Sequence, residues 1–289
     1  SAASDVYKRQ VPDVTVIAKI GFDHMAILGD TLAKIAAEKA GIIKHGTALV
    51  LESQEKEAMD VLNKAAERAD IKTTKVVNLD EIRILPQKDG KQCFSYAGYD
   101  AVTMKMLGVH QYENAVAAML AAELFFEKYF AGKKNVPELK ALQHAIREGI
   151  DRTQWMGRME LVSNDPFFLM DGAHNSNGVE ALKKSLETMY PDEKFHFIMG
   201  VMADKDYGEM IRELLPLALD FKTVTVESER ALQGEALADC IRAKGIPAEA
   251  YRNLEDVLPD FSKSSAEKTV AFGSLYFIGE IEAFLRGKQ

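Results

Sequence analysis

Cysteine is scarce in this sequence, and its two cysteines stand alone. Cys93 and Cys240 lie far apart in the 289-residue chain, and neither belongs to a Cys-x-x-Cys pair or to a cluster with histidine. Structural zinc sites need such clusters, so a zinc module is not expected. A disulfide between the two cysteines stays open, but nothing in the composition indicates an oxidising compartment.

A net basic charge and long apolar runs are also absent. The chain has 36 lysines and arginines against 44 acidic residues, which gives a net charge of −8. Nucleic-acid binding needs a basic face, so this composition argues against a general nucleic-acid partner. No apolar run approaches the ~18 residues of a membrane span, and no secretory leader opens the chain. We expect a cytoplasmic protein, a monomer without membrane or nucleic-acid partners, that acts on small molecules.

Several common catalytic and phosphate-binding motifs are missing as well. The sequence contains no Gly-x-x-x-x-Gly-Lys-[Ser/Thr] phosphate loop, no Gly-x-Gly-x-x-Gly, no Gly-x-Ser-x-Gly and no His-Glu-x-x-His. Any function must therefore be inferred from weaker signals.

What the sequence does contain is a regular alternation of strand and helix patterns. β-Branched runs such as residues 14–20 are typical of buried strands, and segments with helical apolar spacing follow them. This order predicts an α/β fold with largely parallel sheets. The length favours two domains, which we place at residues 11–151 and 152–289 because the pattern restarts near residue 150. Residues 1–10 carry no pattern, and we expect them to be a non-native leader.

Two predicted strand ends carry polar residues where ligands of open α/β sheets bind. Asp171 and His174 lie on the turn between the strand at 167–170 and a helix, whose N-terminus suits an anion. The alternative is that both are ordinary turn residues. Ser274 follows the strand at 269–272 and either contacts a ligand or caps the last helix; spacing alone favours the cap.

His24 and Lys39 form another candidate group near the first strand. A lone histidine at a strand end, like His24, is more often structural. Lys39 lies seven residues after Leu32 in a helix that we expect Asp30 to cap and Gly41 to end, and this spacing predicts an inward-facing lysine. Burying a bare ammonium is unfavourable, and a lysine in such a place is a good nucleophile, for example towards carbon dioxide. The alternative is a side chain that snorkels to solvent or favours the helix C-terminus.

Two further segments hold candidate ligand contacts. Arg158 ends the segment Trp155-Met-Gly-Arg at the predicted domain junction, where a guanidinium suits bidentate contact with a phosphate. The alternative is a surface arginine beside a buried tryptophan. Asn114 lies in an alanine-rich helix that begins near His110, and its amide either reads the edge of a base or bonds locally.

In this combination and order, the segments resemble the folylpolyglutamate synthase/dihydrofolate synthase family of the Mur ligase superfamily. The resemblance extends from residue 11 to the C-terminus and rests on six ordered blocks. These blocks are Ile20-Gly-Phe-Asp-His24 with Leu28-Gly-Asp-Thr-Leu32, Ala37-Glu-Lys-Ala-Gly-Ile-Ile43, Gly108-Val-His-Gln111 with Asn114-Ala115, Trp155-x-Gly-Arg158, Leu169-Met-Asp-Gly-Ala-His-Asn175 and Gly273-Ser-Leu-Tyr276. The fold it implies is an incomplete P-loop-type central domain, which binds ATP, followed by a Rossmann-like α/β C-terminal glutamate ligase domain.

The activity that this resemblance implies is an ATP-dependent amide ligase. ATP phosphorylates a carboxylate of folate or dihydropteroate, and the amine of L-glutamate attacks the acyl phosphate, with release of ADP and phosphate. By the same resemblance, His24 binds magnesium, and Lys39 is a catalytic residue whose carbamate holds a second magnesium ion. Carbamate oxygens suit magnesium, whereas physical chemistry alone would not select His24.

The resemblance also implies the nucleotide contacts. Asn114 would contact the adenine and Asp171 the ribose, while Arg158 would hold the ATP phosphates and stabilise the transferred charge as a catalytic residue. His174, also catalytic, and Ser274 would lie near the phosphate or the glutamate. The expected cofactors are therefore ATP and magnesium, and the expected substrates are folate or dihydropteroate, L-glutamate and ATP.

The sequence departs from the family pattern in one respect. In the family, the phosphate loop, a glutamate that binds magnesium and much of the folate pocket lie upstream of the equivalent of residue 11. We therefore expect the chain to be a C-terminal part of such an enzyme, inactive by itself, because the β- and γ-phosphates would lack their cradle. Two alternatives stay open. One is a Mur-type ligase of peptidoglycan precursors, disfavoured by the Trp155 and Gly273 blocks, and the other is a non-catalytic nucleotide-binding module.

Overall fold

The structure, a computed structural model, describes residues 10–22 and 29–287. The chain divides into two compact units. The first comprises the described residues up to Lys105 together with His110–Thr153, and the second comprises Met106–Val109 and residues 154–287. Residues 106–109 thus group with the second unit, although they lie within the range predicted for the first domain.

The first unit combines a parallel sheet, an antiparallel sheet and several helices. The parallel sheet has the strand order β1 (Val14–Ile17), β2 (Ala48–Leu51), β3 (Thr74–Val76). The antiparallel sheet is formed by β4 (Arg83–Lys88), β5 (Lys91–Tyr96) and β6 (Tyr99–Met104). The helices are α1 (Leu32–Ala40), α2 (Lys56–Arg68), α3 (His110–Phe130) and α4 (Leu139–Arg152).

The parallel sheet of the first unit is covered on both faces. Leu49 and Leu51 of β2 pack in one apolar cluster with Ile35 of α1 and with α2. Val50 points to the opposite face and packs in a second cluster with Val116 of α3. Because successive strand residues point to opposite faces, a strand covered on both sides is apolar throughout, as β2 is.

The start of α1 differs from the sequence prediction, whereas Gly41 ends the helix as predicted. Thr31, not Asp30, caps the helix, because its hydroxyl accepts a hydrogen bond from the Lys34 N–H at 3.2 Å. Asp30 instead forms an exposed ion pair with the Lys34 ammonium at 2.7 Å. Gly41 has a φ of −57°, so α1 does not end through a left-handed glycine.

The second unit is built on one six-stranded sheet with the order β11–β10–β9–β12–β8–β7. Its neighbouring strands run parallel, except that β7 pairs antiparallel with β8. The strands are β7 (Glu160–Asn164), β8 (Phe167–Met170), β9 (Phe195–Met199), β10 (Ala218–Val224), β11 (Ala248–Tyr251) and β12 (Lys268–Phe272). The helices are α5 (Ser176–Met189), α6 (Tyr207–Leu214), α7 (Gly234–Arg242) and α8 (Leu275–Gly287). The predicted α/β fold is confirmed.

Sequence patterns do not indicate β11, and for β10 the pattern that indicates a strand begins only at Phe221, three residues late. β11 reads Ala-Glu-Ala-Tyr, which lacks the β-branched run that predicts a strand, and it forms the edge of the sheet. β10 begins at Ala218 rather than at Phe221, because its pairing with β9 starts opposite Phe195. Both differences arise from pairing with a neighbour rather than from local preference.

Phenylalanine dominates the core of the second unit. The ring of Phe197 lies 5.2 Å from that of Phe221 and 5.7 Å from that of Phe272, centroid to centroid. These three residues face one side of the sheet, whereas α8 covers the other through residues such as Phe277 and Ile281. Aromatic pairs at such distances add to the stabilisation from burial. A rigid sheet therefore supports the loops at its strand ends.

The chain crosses this sheet in one direction from β7 to β11 and then returns, so that β12 lies between β8 and β9. Such a switch point opens a crevice at the carboxyl ends of the strands, where ligands of open α/β sheets bind. Asp171, Gly200 and Gly273 directly follow the three strands concerned. Among the described helices, none combines the length and the hydropathy that a membrane crossing needs.

Candidate functional site

Main-chain hydrogen bonds tie together the three strand ends at the switch point. The Gly273 N–H donates to the Ala173 carbonyl at 3.0 Å, and the Gly200 N–H donates to the Phe272 carbonyl at 3.3 Å. The loops that follow β8, β9 and β12 are thereby joined into one frame. Side chains on this frame have little freedom to change their relative positions.

Gly273 allows this close approach of the loops. Its φ is +123°, a value that side-chain-bearing residues rarely adopt, and a Cβ built on it would lie 2.5 Å from the Gly200 carbonyl oxygen. A larger residue would therefore strain its own backbone and also push the two strand ends apart.

Asp171 is a buried carboxylate within this frame, with 6% of its surface exposed. One carboxylate oxygen accepts the Met159 N–H and the other accepts the Ala173 N–H, both at 2.8 Å. Burial raises the pKa of Asp171 to about 6, although these two hydrogen bonds and the charges of Arg158 and His174 oppose the rise. Asp171 thus links the turn at Met159 to its own strand end at Ala173 by accepting a main-chain hydrogen bond from each.

Arg158 lies between two residues with left-handed backbones, Gly157 at φ +64° and Met159 at φ +47°. The Gly157 carbonyl accepts the Gly172 N–H at 2.7 Å. A Cβ built on Gly172 would lie 3.4 Å from an Arg158 guanidinium nitrogen and 2.4 Å from the Leu275 side chain. A side chain at position 172 would therefore collide with Leu275 and crowd the Gly157 carbonyl, so glycine lets these segments approach each other beside Asp171.

The alternative for this segment, a surface arginine beside a buried tryptophan, is wrong in both parts. Trp155 is 69% exposed, whereas Arg158 is half-buried. Next to Trp155, the Met156 sulfur lies 2.9 Å from the Arg286 guanidinium. The arginine faces the frame because the tight turn at Gly157 reverses the chain after the tryptophan.

His174 lies at the beginning of α5, on the same strand end. Its Nδ1 is 2.8 Å from the Gly172 carbonyl oxygen. A carbonyl can only accept, so this hydrogen bond selects the tautomer with the proton on Nδ1. The Asn175 side chain accepts the Gly178 N–H at 2.8 Å and caps α5. An imidazole and a capped helix N-terminus, which attracts anions, are thus adjacent.

Ser274 caps α8, in agreement with the alternative that spacing favours. It is 3% exposed, and its hydroxyl oxygen accepts the N–H groups of Tyr276 at 3.1 Å and Phe277 at 3.2 Å. Its contact with a phosphate or with glutamate stays a prediction.

Lys39 does not face inward, so that prediction is wrong. The buried residues of α1 are Ile35, Ala36 and Ala40, whereas Lys39 is exposed in the last turn. Leu32, the residue from which the inward direction of Lys39 is inferred, is itself only half-buried. The long side chain reaches solvent at the helix C-terminus, as the alternative states.

The predicted metal ligands are not tested by the described residues. His24 lies outside them. Within residues 10–22 and 29–287, no group of three or more histidine, cysteine, aspartate or glutamate side chains could hold a metal ion. An imidazole and an unmodified ammonium supply no oxygen ligand, so a magnesium site at His24 and Lys39 depends on carbamylation of Lys39.

Asn114 forms a local hydrogen bond within α3. Its side-chain amide donates to the Gln111 side-chain oxygen at 3.0 Å, and Gln111 is buried. The predicted adenine contact stays a prediction.

Sequence analysis misses Glu160, the first residue of β7. Its carboxylate accepts the Gly157 N–H at 2.8 Å and so closes the turn that carries Arg158. Burial raises the pKa of Glu282 in α8, and the negative charge of Glu160 adds to this rise. The only signal in the sequence is a glutamate three residues after a glycine, which is too common to select a residue.

Sequence profiles of known families match both units. The profile described as the Mur ligase middle domain matches residues 2–122, and that of the Mur ligase glutamate ligase domain matches residues 157–272. All the candidate site residues except Ser274 fall within these two ranges.

Curated relatives agree with the profiles. A dihydrofolate synthase/folylpolyglutamate synthase of Bacillus subtilis is 32% identical over 286 residues, which are 95% of this chain and 63% of the relative. A folylpolyglutamate synthase of Lacticaseibacillus casei is 27% identical over 288 residues, 96% of this chain and again 63% of the relative. The chain thus spans less than two thirds of the length of these relatives.

Solved structures are similar in the same way. The folylpolyglutamate synthase of Mycobacterium tuberculosis complexed with ADP superposes with a TM-score of 0.78 at 26% identity, over 96% of this chain and 64% of that one. The folylpolyglutamate synthase of Thermotoga maritima gives 0.74 at 25% identity, over 96% and 62%. The two profiles identify the chain as part of a Mur ligase, with a middle domain and a glutamate ligase domain, and the relatives to which it is similar are named folylpolyglutamate or dihydrofolate synthases.

Proposed function

We propose that this chain contributes the adenine-nucleotide and glutamate part of an ATP-dependent ligase that adds L-glutamate to folate. In this reaction ATP phosphorylates the folate carboxylate, and the glutamate amine then displaces phosphate from the acyl phosphate. Dihydropteroate is a second candidate acceptor, because the Bacillus relative carries both names.

The frame at the switch point is the observation that carries this proposal. A half-buried guanidinium, a buried carboxylate and a capped helix N-terminus lie together there. Arg158 and the N-terminus of α5 are suited to an anion, and an Arg158 guanidinium nitrogen lies 3.4 Å from the Cβ position of Gly172, on the same strand end as that helix N-terminus. We assign Arg158 and His174 to the transferring phosphate, Asp171 to the ribose, Asn114 to the adenine and Ser274 to the phosphate or glutamate.

Nucleotide binding by the 289-residue chain tests this assignment directly. We expect MgADP to bind in a calorimetric titration and Arg158→Ala to raise its Kd by roughly tenfold or more, because a charge-assisted contact with phosphate is lost. Arg212→Ala is a matched control, since Arg212 is an exposed arginine of the same unit that pairs with Glu209.

The outcomes of this titration separate the parts of the proposal. Absence of MgADP binding by the wild-type chain would refute its role in nucleotide binding. Equal weakening by Arg158→Ala and Arg212→Ala would refute the assignment of Arg158 to the phosphates. Release of ADP that requires both folate and glutamate would contradict the expectation that the chain is inactive by itself.

For magnesium, we propose that His24 and a carbamylated Lys39 are the ligands. The exposure of Lys39 supports this in one respect, since carbon dioxide can reach its amine. Incubation with ¹³C-bicarbonate should give a carbamate resonance that is lost in Lys39→Ala and kept in Lys44→Ala. A spectrum without that resonance, with magnesium present, would refute the carbamate.

The amino acid that binds distinguishes the proposal from a peptidoglycan ligase. We expect L-glutamate, in the presence of MgADP, to slow amide exchange around Ser274 and His174, whereas D-glutamate and L-alanine do not. Selective protection by D-glutamate or L-alanine would favour the Mur-type alternative.

We further propose that the chain has domains at 11–151 and 152–289 and that the protein is monomeric and cytoplasmic. Light scattering tests whether it is a monomer.

A further inference from the structure

The turn that carries Arg158 is held from both sides, and no role in ligand binding has been assigned to the residue on its N-terminal side. On the C-terminal side, Asp171 accepts the Met159 N–H at 2.8 Å. On the N-terminal side, Glu160 accepts the Gly157 N–H at the same distance. We infer that Glu160 is a positioning residue, whose carboxylate fixes the main chain before Arg158 as Asp171 fixes it after Arg158.

The backbone of this turn needs such support. Met159 has a φ of +47°, which is unusual for a residue with a side chain, and Gly157 has a φ of +64°. Residues in that region persist only where their surroundings enforce the conformation. Three hydrogen bonds do so here, from Gly157 N–H to Glu160, from Gly172 N–H to the Gly157 carbonyl and from Met159 N–H to Asp171.

Glu160 is itself well anchored. It is the first residue of β7, and it pairs with Met170, the last residue of β8, which directly precedes Asp171. The two carboxylates that hold the turn are therefore attached to neighbouring positions of one antiparallel strand pair. A shift of either strand end would move both acceptors together, so the turn and the buried carboxylate keep their relation.

This inference rests on the proposed function only in so far as Arg158 contacts a phosphate. The effect of Glu160 on the turn can be measured without a nucleotide. Two nuclear magnetic resonance readings are used. Amide exchange of Gly157 reports its hydrogen bond to Glu160, and the guanidinium Nε resonance of Arg158, assigned through Arg158→Lys, reports the environment of the Arg158 side chain. MgADP affinity then reports the consequence for binding.

The decisive comparison is between Glu160→Ala and Glu160→Gln in the full chain. Glu160→Ala removes the acceptor, so we expect exchange of the Gly157 amide to rise at least about tenfold and the Arg158 resonance to shift. Glu160→Gln keeps an acceptor oxygen, and we expect it to restore both readings. Where the wild type binds MgADP, Kd should rise roughly tenfold in Glu160→Ala and return towards the wild-type value in Glu160→Gln.

Glu180→Ala is the control for the change in charge, because Glu180 is an exposed glutamate on α5 of the same unit. It should leave all three readings unchanged. Unchanged Gly157 exchange in Glu160→Ala overturns the inference, as does faster exchange without any shift of the Arg158 resonance. If the wild type fails to bind MgADP while both resonance readings move, the proposed function fails and the positioning role of Glu160 stands.

Discussion

Hydrogen bonds between separate segments fix the turn and the strand end that carry candidate residues in the second unit, whereas Lys39 and Asn114 of the first unit each lie within a helix. Arg158 and Asp171 belong to a turn and a strand end that are joined by hydrogen bonds of 2.7–2.8 Å. Lys39 lies exposed in the last turn of α1, and the Asn114 side chain donates to its neighbour Gln111 on the same helix. The geometry of the first group is therefore set by the fold, and that of the second by single side chains.

This difference has an energetic counterpart. A buried carboxylate and left-handed backbones lower stability unless the surroundings compensate for them. The second unit compensates with its strand-end hydrogen bonds and its phenylalanine core. Substitutions in its frame should consequently lower the free energy of unfolding much more than a substitution of the exposed Lys39 in the first unit.

Among substitutions in the frame and at the candidate residues, the largest effect is expected for Gly273→Ala. Its Cβ would meet the Gly200 carbonyl at 2.5 Å and its φ is +123°, so we expect the free energy of unfolding to fall by about 2–4 kcal/mol. Urea unfolding followed by circular dichroism measures this change. Gly279→Ala in α8 is the control, because no atom lies within 4 Å of its Cβ position. It should raise stability by up to about 1 kcal/mol; a loss as large as that of Gly273→Ala would remove the argument from close approach.

The second effect is a pH dependence that Asp171 imposes. The pKa of Asp171 is raised from 3.8 to about 6 in the folded chain by burial. Its protonation therefore stabilises the fold fully below pH 3.8, and this contribution is lost as the pH rises through 6. Relative to Asp171→Asn, which cannot titrate, the wild type should gain about 2 kcal/mol between pH 7.5 and pH 4.5. Urea unfolding at both pH values gives this difference, and a constant difference would contradict the raised pKa.

A smaller effect is expected for Ser274→Ala. Loss of the cap on α8 should lower the free energy of unfolding by about 1 kcal/mol, and Ser274→Thr should retain most of it because the hydroxyl is kept. Thermal unfolding of both variants measures the change. Equal stability of Ser274→Ala and the wild type would show that the hydroxyl is not needed as a cap.

The smallest effect is expected for Lys39→Ala. Lys39 is exposed in the last turn of α1, so its removal should change the free energy of unfolding by less than about 0.5 kcal/mol. Ile35→Ala, at a fully buried position of the same helix, should lower it by about 2–5 kcal/mol. Comparable losses in the two variants, measured by urea unfolding, would place Lys39 on the packed face of α1.

Sequence reasoning located the strand ends because apolar runs such as 167–170 are long enough to be recognised. It therefore placed Asp171 and Ser274 at strand ends, where the structure has them. It could not foresee the left-handed conformation of Met159, since methionine has no preference for that conformation and only tertiary hydrogen bonds enforce it. Glu160 was missed for the same reason, because its acceptor role depends on the shape of that turn.

Lys39 and β11 show two other limits. Helical spacing gives the relative angle of two residues, but the direction of the buried face depends on what the helix packs against. With Leu32 as reference, Lys39 was predicted on the wrong side. The strand β11 is recognisable only as a neighbour of β10, because its own residues carry no β-branched pattern.

Trp155 gives the protein an optical reporter at a useful position. It is the only tryptophan in the chain, it is 69% exposed, and it lies three residues before Arg158. Its emission therefore arises from a single place, next to the turn held by Glu160 and Asp171. Fluorescence intensity and quenching by iodide can follow events at that turn in the unlabelled chain, without interference from any other indole.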